Sequence, residues 1–112
     1  MTKYRAKKTT VDGITFDSQA EAARWRDLCL LERAGRIRVL CRQVPYVLAP
    51  AAKLHGEKRK RPAVRYLVDF EYFSVLEQVL IREDVKGMDT PMSRLKRHLM
   101  ATVHGISVRV VK

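Results

Sequence analysis

Alternation of apolar and polar residues predicts strands over four stretches of the chain. Residues 36–49 and 64–74 are rich in β-branched and aromatic side chains, and a third stretch covers roughly residues 77–86. A short turn joins the second and third stretches, so these two are expected to form an antiparallel hairpin. A final strand is predicted over residues 106–111. Pro45 restricts the first strand to a sheet edge or a bulge, because proline has no N–H to donate.

Two other stretches have the caps and the apolar spacing of helices. The first begins with a capping-box sequence at Ser18 and is expected to run to about Ala34. The second runs from Thr90-Pro91, with threonine as cap and proline in the first helical position, to Gly105. The stripes expected to face the core are Ala22, Trp25, Leu28 and Cys29 in the first helix and Met92, Leu95, Leu99 and Val103 in the second.

Two acidic residues stand where the predicted hairpin brings its strands together. Asp69 lies in the middle of its strand, although aspartate is among the poorest strand formers. The hairpin register sets it opposite Asp84 to within about one residue. Two carboxylates so close repel each other unless a cation lies between them, so the pair is a candidate metal site. Lys86 points the same way as Asp84 and can either orient a water beside a phosphate or form an ordinary salt bridge.

Four further polar residues each have two interpretations. Glu21 falls on the apolar stripe of the first helix and is either a helix cap or a carboxylate that needs a partner. Gln43, in the first strand, either satisfies structural groups or contacts a substrate. Glu83 points away from Asp84 by alternation and becomes a ligand only if a bulge intervenes. Lys96 lies within the stripe of the second helix, where it either extends to solvent or reaches the acids or a phosphate.

Basic residues exceed acidic ones by a wide margin. The 112 residues include 23 lysines and arginines against 12 aspartates and glutamates, a formal net charge of +11. That excess favours a polyanionic partner, most simply DNA, although ribosomal RNA or an anionic membrane surface fits the same number. The charge is concentrated in a basic arm over residues 1–12 and a basic loop over residues 50–63. The phosphate contacts expected there are Lys3, Arg5, Lys7, Lys8, Lys53, Lys58, Arg59, Lys60 and Arg61.

The remaining composition is that of one soluble domain spanning residues 1–112. No apolar run approaches the roughly 20 residues of a membrane span. The basic N-terminus lacks the apolar stretch of a secretory signal. Cys29 and Cys41 have no metal-ligand spacing, which favours reduced thiols and a cytoplasmic location.

With the order helix, three strands, helix, strand, these charged residues resemble those of the PD-(D/E)XK, or restriction-endonuclease-like, nuclease superfamily. A closer resemblance is to a family of small proteins found in phages and prophages. The matching pieces span nearly the whole chain and are Val11–Ser18, Glu21-Ala22, Leu67–Phe70, Glu83–Gly87 and Thr90–Arg97. Val68 stands where the superfamily's name-giving proline would be, and the doubled acid Glu83-Asp84 leaves the register of the second ligand open.

The resemblance implies an α/β fold with a restriction-endonuclease-like core (α-β-β-β-α-β), in which helices flank a mixed central sheet. It implies that Asp69 and Asp84 hold Mg²⁺ or Mn²⁺ with Glu21 nearby, and that Lys86 orients or activates the attacking water. The accessory residues would be Gln43, Glu83 and Lys96, and Arg94 and Arg97 would join the nucleic-acid contacts.

The expected function is that of a Mg²⁺-dependent endonuclease that hydrolyses DNA phosphodiester bonds, in phage or prophage DNA processing or recombination within a bacterial host. One alternative is a non-catalytic nucleic-acid-binding protein that keeps the nuclease fold. Another is a phage structural or protein-interaction factor. Because so small a chain has little surface for gripping two strands, a homodimer is the hypothesis for cutting a duplex.

Overall fold

The computed structural model describes residues 7–112, so the expected phosphate contacts of Lys3 and Arg5 lie outside the described residues. Within that range the chain forms a four-stranded sheet, a two-stranded hairpin and two α-helices, neither of them long and apolar enough to cross a membrane. The elements are β1 (Thr9–Val11), β2 (Ile14–Phe16), α1 (Gln19–Arg33), β3 (Ile37–Ala49), β4 (Val64–Ser74), β5 (Val79–Val85), α2 (Pro91–His104) and β6 (Arg109–Val111).

The four-stranded sheet has the order β3-β4-β5-β6 and mixes strand directions. β3, β4 and β5 are antiparallel neighbours, whereas β6 pairs with β5 in parallel. A parallel pair needs a crossover connection, and α2 supplies it. The predicted α/β class, the mixed sheet and the order from the first helix to the last strand are therefore confirmed.

β1 and β2 form a hairpin where the sequence predicts a flexible or edge-strand arm. Asp12 and Gly13 make its two-residue turn, and both have positive φ angles, 50° and 79°. Such a turn follows the natural twist of two antiparallel strands, and Asp-Gly builds it readily. The hairpin leads directly to Phe16, which is 1% exposed and packs in the core beside α1.

α1 is capped as its sequence predicts. The Ser18 side chain accepts a hydrogen bond from the backbone N–H of Glu21 at 3.1 Å. Gly35 follows the helix with a φ of 78°, a conformation that glycine adopts without strain. Ala22 and Leu28 are buried in the core beneath the helix. The same packing carries Glu21, which is 2% exposed, into the interior.

β3 is an edge strand of the sheet, as Pro45 predicts, but the strand does not bulge at the proline. Pro45 pairs in register with Leu67. The register instead shifts between Arg38 and Cys41, around a Val39 with a φ of 54°. The bend predicted at Pro45 is therefore wrong, because an edge position already spares the proline the missing N–H bond.

Buried apolar side chains form two clusters that follow one another along β4. Phe70 and Tyr72 belong to the cluster beneath α1. Tyr66 and Val68 belong to the cluster that packs against α2. The change of cluster falls at Asp69, so this acid lies between the two hydrophobic cores.

α2 is turned differently from the orientation that its apolar spacing predicts. Met92, Leu95 and Val103 are 61%, 51% and 52% exposed, so the predicted core-facing stripe is wrong for three of its four members. The side of the helix that faces inward consists of Ser93, Lys96, Arg97 and Met100. A mostly polar stripe can face inward only where polar partners await it, and those partners surround the acids of β4 and β5.

Met100→Ala is expected to lower the free energy of unfolding by about 2–5 kcal/mol, because Met100 is fully buried and its removal leaves a cavity. Leu95→Ala is the matched control in the same helix, and its cost should stay within about 0.5 kcal/mol because the side chain is exposed. Urea denaturation of both variants measures the difference. Equal costs, or a larger cost at Leu95, would contradict this orientation of α2.

Candidate active site

The ladder between β4 and β5 ends at the pair Phe70–Glu83, and carboxylates take over the backbone groups beyond it. The backbone N–H of Asp69 donates to Asp84 Oδ1 at 3.3 Å. The backbone N–H of Val85 donates to Asp69 Oδ2 at 2.8 Å. Extending the ladder register by one residue sets Asp69 opposite Asp84, as the sequence predicts. Each acid therefore satisfies a buried N–H of the other strand, and the two carboxylates are fixed side by side.

Gln43 joins α1 to this pair of strands. Its side-chain amide donates to Glu21 Oε1 at 3.3 Å and to Asp69 Oδ1 at 3.4 Å. The residue stands in β3 with a φ of 51°, a conformation that is uncommon outside glycine and is found often at functional sites. The glutamate of the capping box thus also belongs to the acid network, which resolves the two interpretations left open for Glu21 and Gln43.

Asp84 Oδ2 has two further partners. The Tyr66 hydroxyl donates a hydrogen bond to it, and Lys86 Nζ lies 3.3 Å away. Burial, followed by the hydrogen bond to the Asp84 carboxylate, raises the pKa of Tyr66 well above its ordinary value. Sequence reasoning missed Tyr66, although a tyrosine among core residues of a strand usually needs a partner for its hydroxyl.

Glu83 points to the opposite side of β5 from Asp84, as strand alternation predicts. It accepts two hydrogen bonds from the Arg24 guanidinium, at 2.8 and 2.7 Å, and one from the Tyr72 hydroxyl. The Glu83 bond is the main cause of the raised pKa of Arg24. Burial and then the Glu83 bond raise the pKa of Tyr72 to about 12. The doubled acid therefore divides into a structural partner of α1 and a member of the acid network.

The three acids of the network are almost completely buried. Glu21, Asp69 and Asp84 are 2%, 8% and 2% exposed. No three histidine, cysteine, aspartate or glutamate side chains within residues 7–112 are grouped so that they could hold a metal ion as they stand. The Gln43 amide lies between Glu21 and Asp69. The donor chemistry still fits Mg²⁺ or Mn²⁺, since these cations take carboxylate oxygens and often use only one or two of them, with water and phosphate oxygens completing the shell.

An open groove of about 440 Å³ gives access to Asp69, Asp84 and Lys86. The first turn of α2 forms one wall, and Lys96 extends into the lining from the second turn. On β4, Arg65 lines the same groove. The position of Lys96 agrees with the interpretation in which it reaches the acids or a phosphate.

The other basic residues fall into two groups. Lys7, Lys8, Lys53, Lys58, Arg59, Lys60 and Arg94 are exposed. Arg97 instead forms two hydrogen bonds to the Asp89 carboxylate, at 2.9 and 2.7 Å, and these bonds are the main cause of the lowered pKa of Asp89. Arg61 is similarly engaged by Glu57 at 2.8 and 2.6 Å. Arg97 and Arg61 thus organise the loop before α2 and the basic loop.

Comparison with known proteins gives one match. A family model described as "Protein of unknown function (DUF1064)" matches residues 1–109. No curated protein and no solved structure matches the chain. What the acid network can do must therefore be argued from its own geometry and chemistry.

Glu83→Gln and Asp84→Asn should separate the two adjacent acids. Glu83→Gln is expected to lower the free energy of unfolding by about 1.5–3 kcal/mol, because Arg24 loses a charged partner. Asp84→Asn should change stability by no more than about 1 kcal/mol, because the amide keeps an acceptor for the Asp69 N–H and removes one of three clustered negative charges. Urea denaturation followed by the fluorescence of Trp25 measures both, and a larger loss for Asp84→Asn would contradict the division.

Proposed function

The chain belongs to the DUF1064 family, and we propose that it is a metal-dependent endonuclease that hydrolyses DNA phosphodiester bonds. One observation carries the proposal. Glu21, Asp69, Asp84 and Lys86, from three different elements, are joined in one hydrogen-bonded network that opens into one groove. The chain around that groove is strongly basic, with a net charge of +11, which suits a polyanionic substrate.

The proposal includes a restriction-endonuclease-like fold. The order of α1, three antiparallel strands, α2 and a parallel β6 supports it, as does the resemblance of the short motifs to the PD-(D/E)XK superfamily. The site lies where strand pairing between β4 and β5 stops, so that side chains of both strands are open to a substrate. Fold alone does not decide activity, so the argument depends on the site residues.

Asp69 and Asp84 would hold a Mg²⁺ or Mn²⁺ ion, with Glu21 as the third acid of the site. When bound, that cation lowers the pKa of an attacking water and stabilises the negative charge that develops on the phosphorus centre. The protein's own part is to keep the carboxylates ionised and oriented. The backbone N–H groups of Asp69 and Val85 and the Gln43 amide do this by donating to carboxylate oxygens.

Lys86 is the proposed residue that orients the attacking water and offsets negative charge at the phosphate. Its Nζ is held near the acids by Asp84 Oδ2, and its side chain is 17% exposed. A lysine ammonium so placed donates hydrogen bonds in several directions, which suits a water and a phosphate oxygen together. Tyr66, by donating to the same Asp84 oxygen, keeps that carboxylate from rotating.

Groups along the groove would bind the phosphates on either side of the scissile bond. Lys96 and Arg65 supply positive charge. Thr90 and Ser93 stand at the N-terminal end of α2, where the helix dipole favours an anion. These contacts carry no base information, so binding should be largely independent of sequence and should weaken steeply with salt. Each chain provides one such site, so cutting both strands of a duplex would take two copies or two encounters.

A second candidate is a nucleic-acid-binding protein without catalysis. The observation that favours it is that Asp69 and Asp84 already have a structural task, since each accepts a backbone N–H at the end of the ladder. That candidate predicts salt-sensitive DNA binding that neither metal nor Asp69→Asn alters. It also predicts no cleavage under any metal condition.

Asp84→Ala is expected to abolish cleavage, because it removes a proposed metal ligand that also holds Lys86. Branched, duplex and single-stranded DNA are incubated with the protein in Mg²⁺, in Mn²⁺ and in EDTA, and the wild type should cut at least one of them only when metal is present. Glu77→Ala is the control, because this acid is exposed and pairs with Arg109 away from the groove. If no DNA is cut, or if Asp84→Ala cuts as fast as the wild type, the catalytic proposal is wrong.

Lys86→Gln and Lys96→Gln remove one positive charge each from the same groove but should fail differently. Lys86→Gln is expected to lower kcat by about 10²–10⁴-fold with a similar KM, because it removes the group that orients the water. Lys96→Gln should keep kcat, raise KM and make binding less dependent on salt by about one phosphate contact. Steady-state kinetics at several salt concentrations distinguish them. Identical effects of the two changes would contradict the separate roles.

A further inference from the structure

We propose that the hairpin arm, defined as residues 50–63 between β3 and β4, lies in the major groove of a DNA duplex bound at the acid site. The inference rests on the proposed function, because it extends the same DNA away from the groove. It assigns to the arm a partner of defined shape, the B-form double helix, beyond simple attraction to phosphate.

The charge of the arm suits a polyanion. It contains five lysines and arginines and one glutamate, a net charge of +4 with histidine neutral. Arg61 is paired with Glu57. Within the described part of the chain, no ion pair engages Lys53, Lys58, Arg59 or Lys60, and all four are exposed. These four cations are therefore available to release counterions from DNA.

The arm has a regular two-stranded base and an ordered turn. β5 pairs with β4 only from Phe70 to Ser74, so towards the arm β4 pairs with β3 alone. Beyond the end of β3, Ala52 and Arg61 still face each other through backbone hydrogen bonds of 3.1 and 2.6 Å. A turn from Leu54 to Glu57 then closes the ribbon, with a 3.1 Å bond between its ends and Gly56 at a φ of 80°.

The shape of this ribbon selects between nucleic acids. Paired strands lie about 4.8 Å apart, so a two-stranded ribbon with its side chains is narrow enough for the major groove of B-DNA, which is about 12 Å wide. The major groove of an A-form RNA helix is deep and too narrow for side chains to read. The arm therefore fits DNA, whereas its charge alone would fit either.

The arm also stands in the right direction from the acids. Asp69 is five residues along β4 from Val64, the first residue after the arm, a separation of about 17 Å, or about five base pairs of duplex. Arg65 and Leu67 lie between them at alternate positions and line the groove together with Asp69. A duplex that enters the groove and follows Arg65 thus arrives at the arm.

The test uses the whole protein in EDTA, so that binding is measured without cleavage. Fluorescence anisotropy compares the wild type with Lys58→Ala/Arg59→Ala/Lys60→Ala. The control is Arg26→Ala/Arg33→Ala/Arg38→Ala, which removes the same charge from exposed residues of α1 and from the far end of β3. Circular dichroism shows that each variant is folded. The probes are an unmodified DNA duplex, a duplex with a bulky neutral group on pyrimidine C5 in the major groove, one with a bulky group on guanine N2 in the minor groove, and an RNA duplex.

For the wild type, we expect the C5 groups to weaken binding about tenfold or more and the N2 groups to have little effect. The arm variant should bind unmodified DNA less tightly, with a salt slope shallower by about three phosphate contacts, and should lose most of its sensitivity to the C5 groups. The control should keep that sensitivity. Equal sensitivity in the arm variant and the wild type, a stronger effect of the N2 groups, or RNA bound as tightly as DNA would each overturn the inference. Absence of cleavage alongside the expected binding would refute only the proposed function.

Discussion

The structure depends on how the chain ends the pairing of two central strands inside the protein. Beyond Phe70 and Glu83, the ladder between β4 and β5 has no further backbone partners, yet the segment stays buried. An unsatisfied N–H there would cost about 1–3 kcal/mol. Asp69 and Asp84 remove that cost by each accepting a backbone N–H across the gap. The bonds that complete the fold are thus the same bonds that place two carboxylates next to each other.

This solution brings negative charge into the interior, and the surrounding elements compensate for it. Gln43 donates to Glu21 and Asp69, and Tyr66 and Lys86 meet Asp84. α2 turns a largely polar stripe inward and leaves apolar residues such as Leu95 in solvent. Clustered acids and an exposed apolar helix face both reduce stability, and such losses are the usual cost of a site built for chemistry.

Much of this arrangement could be predicted from sequence because local rules determine it. The bounds of β4 and the register of Asp69 with Asp84 follow from a tight turn and from strand alternation, which act over short distances. The β1–β2 hairpin was equally local, since Asp12-Gly13 between apolar residues signals it, and that signal was overlooked. The orientation of α2 could not be predicted, because its apolar spacing marks one face while the polar groups of distant strands hold the other. The same distance in sequence, 59 residues, concealed the pairing of Arg24 with Glu83.

The central claim is that Asp69 and Asp84 together form a cation site. Anomalous diffraction from crystals soaked in Mn²⁺ tests it most directly, because the metal's own signal gives its position. The account predicts a peak bonded to a carboxylate oxygen of each of these two residues, and no such peak in crystals of Asp84→Asn soaked in the same way. Soaked wild-type crystals with no peak there, or with Mn²⁺ bound only at other acids such as Glu71 or Asp89, would contradict it.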